Sequence, residues 1–383
     1  MISKNILVMC LADPSGNPRP NRAINLFNSM NHSIDVVGFP PSAHITCRQL
    51  YALGTPSKNP LKRMQRLFYK FIISLKPSDT TIQCLSQIRW NIADISHKLS
   101  FNEYDVILVE DIHLLPLAFK IKNDASVIFD AREYHPREFE SSLLWTLTEQ
   151  KHRLYLCHKY LQKCDAVLTV SPSLQNAYKE NFGITPYLLR SLPYYQNASP
   201  KPLQNAKIRL VHHGIANKDR KLELMIEIMN HLDARFTLDF YLTGNEAYKS
   251  YLQKLAAKNK RIRFMTPVAF SDLIPTINQY DVGLCFFPPS TFNLKHCLPN
   301  KLFEFIQARL AVLTGPSPDI TNIVRKYDCG FVMPSFDPKE TAVHLNALTN
   351  EEIQSAKNAS HKAAVELCFE KESSILKSLI QAA

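Results

Sequence analysis

The nine cysteines of this chain, at positions 10, 47, 84, 157, 164, 285, 297, 329 and 368, include no Cys-x-x-Cys pair and no Cys/His grouping with zinc spacing. A zinc module needs such spacing, so the thiols read as reduced and mostly buried, and no metal is expected. No apolar run approaches the roughly 20 residues that span a bilayer, which limits any membrane contact to the surface. Met1 to Cys10 runs straight into a strand-like segment without a signal-peptide apolar core or small-residue cleavage site, so a cytoplasmic location is expected. The turn-rich loop Leu11 to Pro20 holds only Gly16, and the missing G-x-G-x-x-G fingerprint argues against a nicotinamide enzyme. No Asp-x-Asp triad stands at a convincing site, and no low-complexity segment or short-period repeat occurs.

What is present describes an ordinary globular chain. Its 383 residues suffice for two α/β domains with separate cores, and the fractions of 45% hydrophobic and 21% charged residues are those of a folded protein. The net charge of +11 and pI near 9.1 point to an anionic partner. Nucleic acid, anionic lipid head groups and a sugar nucleotide all qualify. Nucleic acid is disfavoured, because the basic residues lack interleaved aromatics beyond Phe68 and Tyr69 and no recognition motif appears.

The most informative stretch is Asn293 to Pro316, NLKHCLPNKLFEFIQARLAVLTGP. A strand from Val282 to Phe286 leads into a loop, Pro299 and Asn300 supply helix-start chemistry, and an apolar strand follows at Ala311 to Leu313. A loop entering a helix N-terminus after a strand is where α/β folds bind phosphate. Glu304, about one turn into that helix, is placed to accept two hydrogen bonds from a ribose diol; taken alone, an ordinary surface position on an amphipathic helix is the better reading.

The run PNKLFEFIQARLAVLTGPSPDI resembles the nucleotide-sugar signature of GT-B glycosyltransferases of the retaining family 4 type, P-x-K-x-F-E-x-x-x-x-G-x-P-V-I. The resemblance implies two Rossmann-like parallel-sheet domains facing a cleft, with a C-terminal helix crossing back to the first domain. It places the donor ribose on Glu304 and the rest of the donor against Gly214, Arg220, Asn293, Pro299, Asn300, Lys301 and Leu302. This chain departs from the pattern at His296, where a second acidic residue is usual, and at Arg309, where glycine is usual.

In chain order, strand Asn5 to Cys10, a helix from about Arg22 and strand Ile34 to Gly38 form a βαβ start. Arg19 and Arg22 stand in and after the first loop, which the resemblance puts on the acceptor side. Leu61, Met64, Leu67, Phe68, Phe71, Ile72 and Leu75 then fall on one stripe of a helix that also carries Lys62, Arg63, Arg66 and Lys70. Such a helix lies either on an anionic membrane or against the core with its basic face in water. Strands Asp105 to Val109 and Ser126 to Asp130 end in Glu110-Asp111 and Arg132-Glu133-Tyr134-His135, where polar side chains face the ligand crevice of a parallel sheet. The segment FDAREYHPREFE resembles the family's F-D-x-H-E motif, with Arg132 in the His position, Glu133 as expected and His135 nearby. Asp111 and His135 join the acceptor side.

A helical region follows from about Ser141 to Leu161, then strand Ala166 to Val170 and a helix from Ser171-Pro172. The Pro, Ser and Asn content of Leu192 to Ala206 suits a linker. Strand Ile208 to His212 opens the second half, and Gly214 permits a tight turn. The family pattern G-R-x5-K-G lies over this region only in part, with Ile215 for Arg, Arg220 for Lys and Lys221 for Gly. Arg220 suits a diphosphate through its planar guanidinium, with Lys301 as a second cation. Strands Thr237 to Leu242, Arg261 to Met265 and one ending in Val332 follow, then a mainly helical tail from about Asn350.

The expected domains are residues 1–195, a linker over 196–206, a nucleotide-sugar domain over 207–360 and a crossing helix over 361–383. The implied reaction moves a sugar from a nucleotide diphosphate to a glycan or lipid-linked acceptor, with retention and without a metal or cofactor, in bacterial surface polysaccharide assembly. Catalytic roles fall to Arg132, Glu133, Arg220 and His296. The protein is expected in the cytoplasm, touching the inner face of the plasma membrane peripherally. Two other readings keep the fold: a nonhydrolysing sugar-nucleotide epimerase, and a partner subunit that has lost catalysis.

Overall fold

The computed structural model describes residues 3–203 and 207–383. The end of the linker expected over 196–206, like the first two residues, lies outside the described residues. The chain divides into two compact units: the first comprises Met1–Leu189, Thr291–Asn293 and Ser373–Ala383, the second Arg190–Ser290 and Leu294–Glu372.

The first unit is built on seven parallel strands: β1 (Asn5–Met9), β2 (Ser33–Gly38), β3 (Gln49–Ala52), β4 (Val106–Val109), β5 (Ser126–Ala131), β6 (Ala166–Thr169) and β7 (Tyr187–Leu188). They lie in the order β3-β2-β1-β4-β5-β6-β7. A parallel sheet is covered on both faces, so its central strands read as continuous apolar runs. Ile6 to Met9 and Val106 to Val109 meet this requirement, being fully buried along their lengths.

The second unit repeats the plan with β8 (Ile208–Ala216), β9 (Phe236–Gly244), β10 (Ile262–Met265), β11 (Val282–Cys285), β12 (Ala311–Thr314) and β13 (Gly330–Val332), in the order β10-β9-β8-β11-β12-β13. In each sheet the first strand in sequence is flanked on one side by the next strand and on the other by the fourth. Between those two neighbours the winding direction reverses, and open α/β sheets bind ligands just beyond the strand ends at that reversal. The two candidate places are therefore fixed by topology: the ends of β1 and β4, and the ends of β8 and β11.

Helix ends follow local chemistry. Asn17 caps the helix Pro18–Ser29, and Asn59 accepts from the Leu61 amide at 2.8 Å to open the helix Pro60–Leu75. Two helices that no apolar period announced, Asp79–Trp90 and Ile92–Leu99, fill the gap before β4; Ser78 and Thr81 form a reciprocal capping box at the first. The single helical region expected over 141–161 is instead two helices, Leu143–Thr148 and Gln150–Tyr160. They part at Glu149, whose carboxylate is turned inward to Lys70, at 2.6 Å, and to Arg89. The helical tail consists of Asn350–Glu366, Phe369–Glu372 and Ser374–Ala382, the last of which belongs to the first unit.

Candidate functional site

In the second unit, β8 pairs with β9 along its whole length but with β11 only at Leu210 and Val211. Past Val211 the two strands diverge, and side chains fill the opening. His212 Nδ1 lies 2.8 Å from the Leu284 carbonyl, which can only accept, so this nitrogen carries the proton. His212 Nε2 is thereby left as an acceptor for Lys301 Nζ at 3.1 Å. Lys301 and Glu304 are one turn apart on the helix Asn300–Gln307, whose N-cap is Pro299, and they stack over consecutive residues of β8. Glu304 Oε2 lies 3.4 Å from His213 Nε2, and the His213 ring stands edge-on to Phe305.

This helix approaches the sheet closely because β11 carries Gly283. A Cβ there would stand 2.2 Å from Phe305 Cγ, so any other residue would push the helix, and Lys301 with it, away from β8. Gly214, at φ +115°, turns the strand end where the Lys301 ammonium would meet a side chain. Arg220 and Lys301 share the face of Phe287, at 5.7 and 5.9 Å from the ring centroid. Arg220 Nε has no hydrogen-bond partner among the described residues.

The electrostatic result is a concentrated positive field. Burial, then the Arg220 charge, pushes the Lys301 amine down to about 7. Burial and the same two cations push His213 down to about 3 and hold His212 well below its ordinary range. With both imidazoles held toward the neutral form, Glu304 is the carboxylate that acts on Lys301 among the described residues. A diphosphate beside Arg220 and Lys301 would meet two cations in a dry setting where Coulomb attraction is strong.

The other donor candidates are distributed differently. Asn300 and Leu302 lie in the same first helical turn, with Leu302 fully buried in the core. His296 Nδ1 stands 3.7 Å from Asp319 Oδ2, so an acidic residue is present beside the position where the sequence lacks one. Asn293 belongs to the first unit, where its side chain accepts from the Tyr134 amide at 2.7 Å and donates to the Tyr134 carbonyl at 3.2 Å. Arg309 adopts φ +63°, which explains why glycine is usual there. Its fully buried guanidinium donates to the carbonyls of Gln196, Ala198 and Gln307.

At the corresponding place in the first unit, Glu110 follows β4 and is 1% exposed, with neither carboxylate oxygen hydrogen-bonded among the described residues. Burial, then the neighbouring Asp130 carboxylate, pushes its carboxyl up to about 7 against the pull of Arg132, Arg19 and Arg22. Arg19 itself is committed to Asp130 (2.5 and 2.7 Å) and to the Leu189 carbonyl (2.9 Å). Arg22 is buried, Arg132 half-buried, and Glu133 exposed. Asp111 accepts from His113 Nδ1 at 2.8 Å, and His135 Nδ1 lies 2.9 Å from Glu138. Sequence reading assigned no role to Glu110, His212 or His213, although Glu110 stood among the strand-end residues expected to face the crevice. Their one signal was position, at the C-terminal ends of strands.

On the first unit's surface the helix Pro60–Leu75 turns its apolar stripe outward. Leu61, Met64, Leu67, Phe68, Phe71 and Leu75 are each at least half exposed, and Ile73 is the helix's one fully buried residue. The neighbouring helix Leu143–Thr148 adds exposed Leu143, Leu144 and Leu147. Lys62 and Arg63 are exposed, Arg66 is half-buried, and Lys70 is held by Glu149. Among the described residues no helix is long and apolar enough to cross a membrane.

Residues 207–351 match the family model described as Glycosyl transferases group 1. Solved structures resemble the chain along its length. Sucrose-phosphate synthase of Thermosynechococcus elongatus superposes with a TM-score of 0.73 at 11% identity, over 99% of this chain and 100% of that one. HepE of Anabaena, solved with UDP-glucose, gives 0.70 at 12% identity over 98% and 100%. A UDP-forming trehalose-phosphate synthase of Burkholderia vietnamiensis gives 0.68 at 11% over 100% of each chain. At these identities the likeness is one of fold, and the fold is GT-B, two Rossmann-like parallel-sheet domains. No curated protein matches the chain.

Proposed function

We propose that this chain, whose residues 207–351 carry a glycosyl transferases group 1 domain on a GT-B fold, moves a sugar from a nucleotide diphosphate to a glycan or lipid-linked acceptor. The observation that carries the reading is the buried cluster of Lys301, Glu304, His212 and His213 where β8 and β11 part, with half-buried Arg220 beside it. Lys301 and Arg220 receive the diphosphate there, and Glu304 receives the ribose hydroxyls. The bond between the anomeric carbon and the diphosphate oxygen breaks with its electron pair going to the leaving group, whose charge the two cations hold. The acceptor oxygen then attacks from the face the diphosphate leaves and gives its proton to a departing oxygen, so configuration is retained. His296, with Asp319 behind it, orients the donor sugar.

Surface polysaccharide or lipid-linked glycan assembly in a bacterium is the setting we favour. It is supported by the outward apolar stripe of Pro60–Leu75, extended by Leu143, Leu144 and Leu147 and flanked by Lys62 and Arg63. A run of neighbouring apolar side chains each at least half exposed suits an interaction surface, and basic neighbours favour the anionic inner leaflet. The protein then works in the cytoplasm as a peripheral membrane enzyme.

The test is a thermal-shift panel of UDP, GDP, CMP and ADP followed by their sugar conjugates. Because HepE of Anabaena was solved with UDP-glucose, UDP and UDP-glucose come first. A rise in Tm with one nucleoside diphosphate, through linkage to the folded state, supports the reading and fixes the base. No shift with any of them moves weight to a scaffold that has lost catalysis.

A further inference from the structure

Away from the strand ends, three side chains of the first unit meet in its interior. His113 stands in the short turn Ile112–Leu114 after β4, Glu149 at the break between two helices, and His152 one turn into Gln150–Tyr160. One ligand atom from each lies within 4.8 Å of the other two. They are 7%, 6% and 1% exposed, respectively. Three of the four imidazole nitrogens, His113 Nε2 and both of His152, have no hydrogen-bond partner among the described residues. Buried polar atoms are nearly always satisfied, so three in one place call for something that engages them.

The orientation of each group narrows what that is. Asp111 accepts from His113 Nδ1 at 2.8 Å, so His113 Nε2 carries a lone pair. A carboxylate behind a histidine in this way is the usual outer partner of a metal ligand. Lys70 and Arg89 both hold Glu149 through Oε1, which leaves Oε2 toward the histidines, 3.9 Å from His113 Nε2 and 3.7 Å from His152 Nδ1. Donors at about 2.0–2.1 Å from a tetrahedral zinc stand roughly 3.3–3.5 Å apart, so each imidazole would draw toward Glu149 by roughly half an ångström, and the two imidazole nitrogens, now within 4.8 Å of each other, would close on the ion as well.

We propose that His113, Glu149 and His152 form a binding site for a divalent transition-metal ion of the zinc class, oriented by Asp111. The three donors, two imidazoles and a carboxylate, leave a fourth position open. The charges of Asp111 and Glu149 offset those of Arg89 and Lys70 around the ion. Once bound, the ion would tie the turn after β4 to the helix Gln150–Tyr160. Sequence spacing could not announce the set: Glu149-x-x-His152 is local, but the third ligand comes from a different element, and the expectation of no metal followed from that gap. The proposal does not rest on the donor-site reading, since it involves none of its residues.

The experiment uses the full-length protein, stripped with a chelator and then incubated with Zn2+. The expected result is about one zinc per chain by elemental analysis, as for a site with one set of three ligands, and a higher Tm that chelator reverses. His113→Gln and His152→Gln should each lose that zinc, and Asp111→Asn should weaken affinity by about 10–100-fold. Co2+ in the wild-type chain should give visible ligand-field bands, a readout that does not depend on any variant folding. Absence of those bands, no zinc uptake with an unmoved Tm, or unchanged stoichiometry in the double histidine variant would each overturn the site.

Discussion

Compare the two places where the winding of the sheets reverses. Beyond β1 and β4 the buried titratable group is an acid, Glu110, raised to about 7 among three arginines and Asp130. Beyond β8 and β11 it is a base, Lys301, lowered to about 7 beside Arg220 and two neutral histidines. The same topology thus sets a near-neutral acid among three arginines and Asp130 in one unit, and a buried amine beside Arg220, Glu304 and two histidines in the other. A duplicated scaffold takes its ligand preference from a few side chains at one strand end, not from its sheet.

The largest test of that contrast lies at Glu304. On the proposed reading, Glu304→Ala removes two hydrogen bonds that the ribose hydroxyls donate to the carboxylate, each about 1.5–3 kcal/mol. Nucleotide affinity measured by calorimetry should fall by at least about 100-fold, with the fold kept by circular dichroism. A change below threefold would remove the donor from the second unit and with it the comparison.

Lys301→Met separates binding from stability. The variant should bind nucleoside diphosphate about 10–100-fold more weakly, the range of one hydrogen bond to a charged group. It should nevertheless melt at a higher temperature, because a buried amine held far below its ordinary pKa costs stability. Lower affinity together with a lower Tm would make Lys301 a packing residue.

Opposite pH slopes follow from the opposite shifts. Glu110 keeps in the folded state a proton that the unfolded chain releases, so between about pH 4.5 and 7 it makes stability fall as pH rises. Lys301 releases in the folded state a proton that the unfolded chain keeps, so between about pH 7 and 10.5 it makes stability rise with pH. Subtracting denaturation curves of Glu110→Gln and Lys301→Met from wild type isolates each slope. Equal signs would dissolve the contrast. In the same terms, nucleotide binding near pH 8 should take up a proton at Lys301, seen as a binding enthalpy that depends on the buffer's ionisation heat.

The smallest effect concerns the first unit's surface. Neutralising Lys62 and Arg63 should weaken binding to anionic vesicles by about 1 kcal/mol per residue. Lys70 should contribute less, being engaged by Glu149. Vesicle binding unchanged by the double variant would return the exposed stripe to another partner.

The alternation of strands and helices, the central strands and the helix start at Pro299 were legible because each is a local matter of period and capping. So were Lys301 and Glu304, whose spacing of one helical turn puts them side by side. His212 and His213 were not, since their significance depends on where β8 leaves β11, a pairing between distant segments. Glu110 reads as one more acidic residue after a strand until the sheet order places it beside β1. The stripe on Pro60–Leu75 had the period of a core helix, and periodicity does not say which side of a helix meets the protein.

Arg309 bears on how this chain can be cut. Its buried guanidinium holds the carbonyls of Gln196 and Ala198, while buried Lys357 holds Asp281 at 2.7 Å. A fragment trimmed to residues 207–351, the bounds of the matched family model, would strip Arg309 of two acceptors and leave Asp281 without its lysine. Hydrogen bonds to charged groups are worth about 1.5–3 kcal/mol each, comparable in sum to the whole margin of about 5–15 kcal/mol by which a domain stays folded. The second compact unit itself begins at Arg190 and ends at Glu372, interrupted only at Thr291–Asn293, so bounds of 190 and 372 keep both sets of contacts.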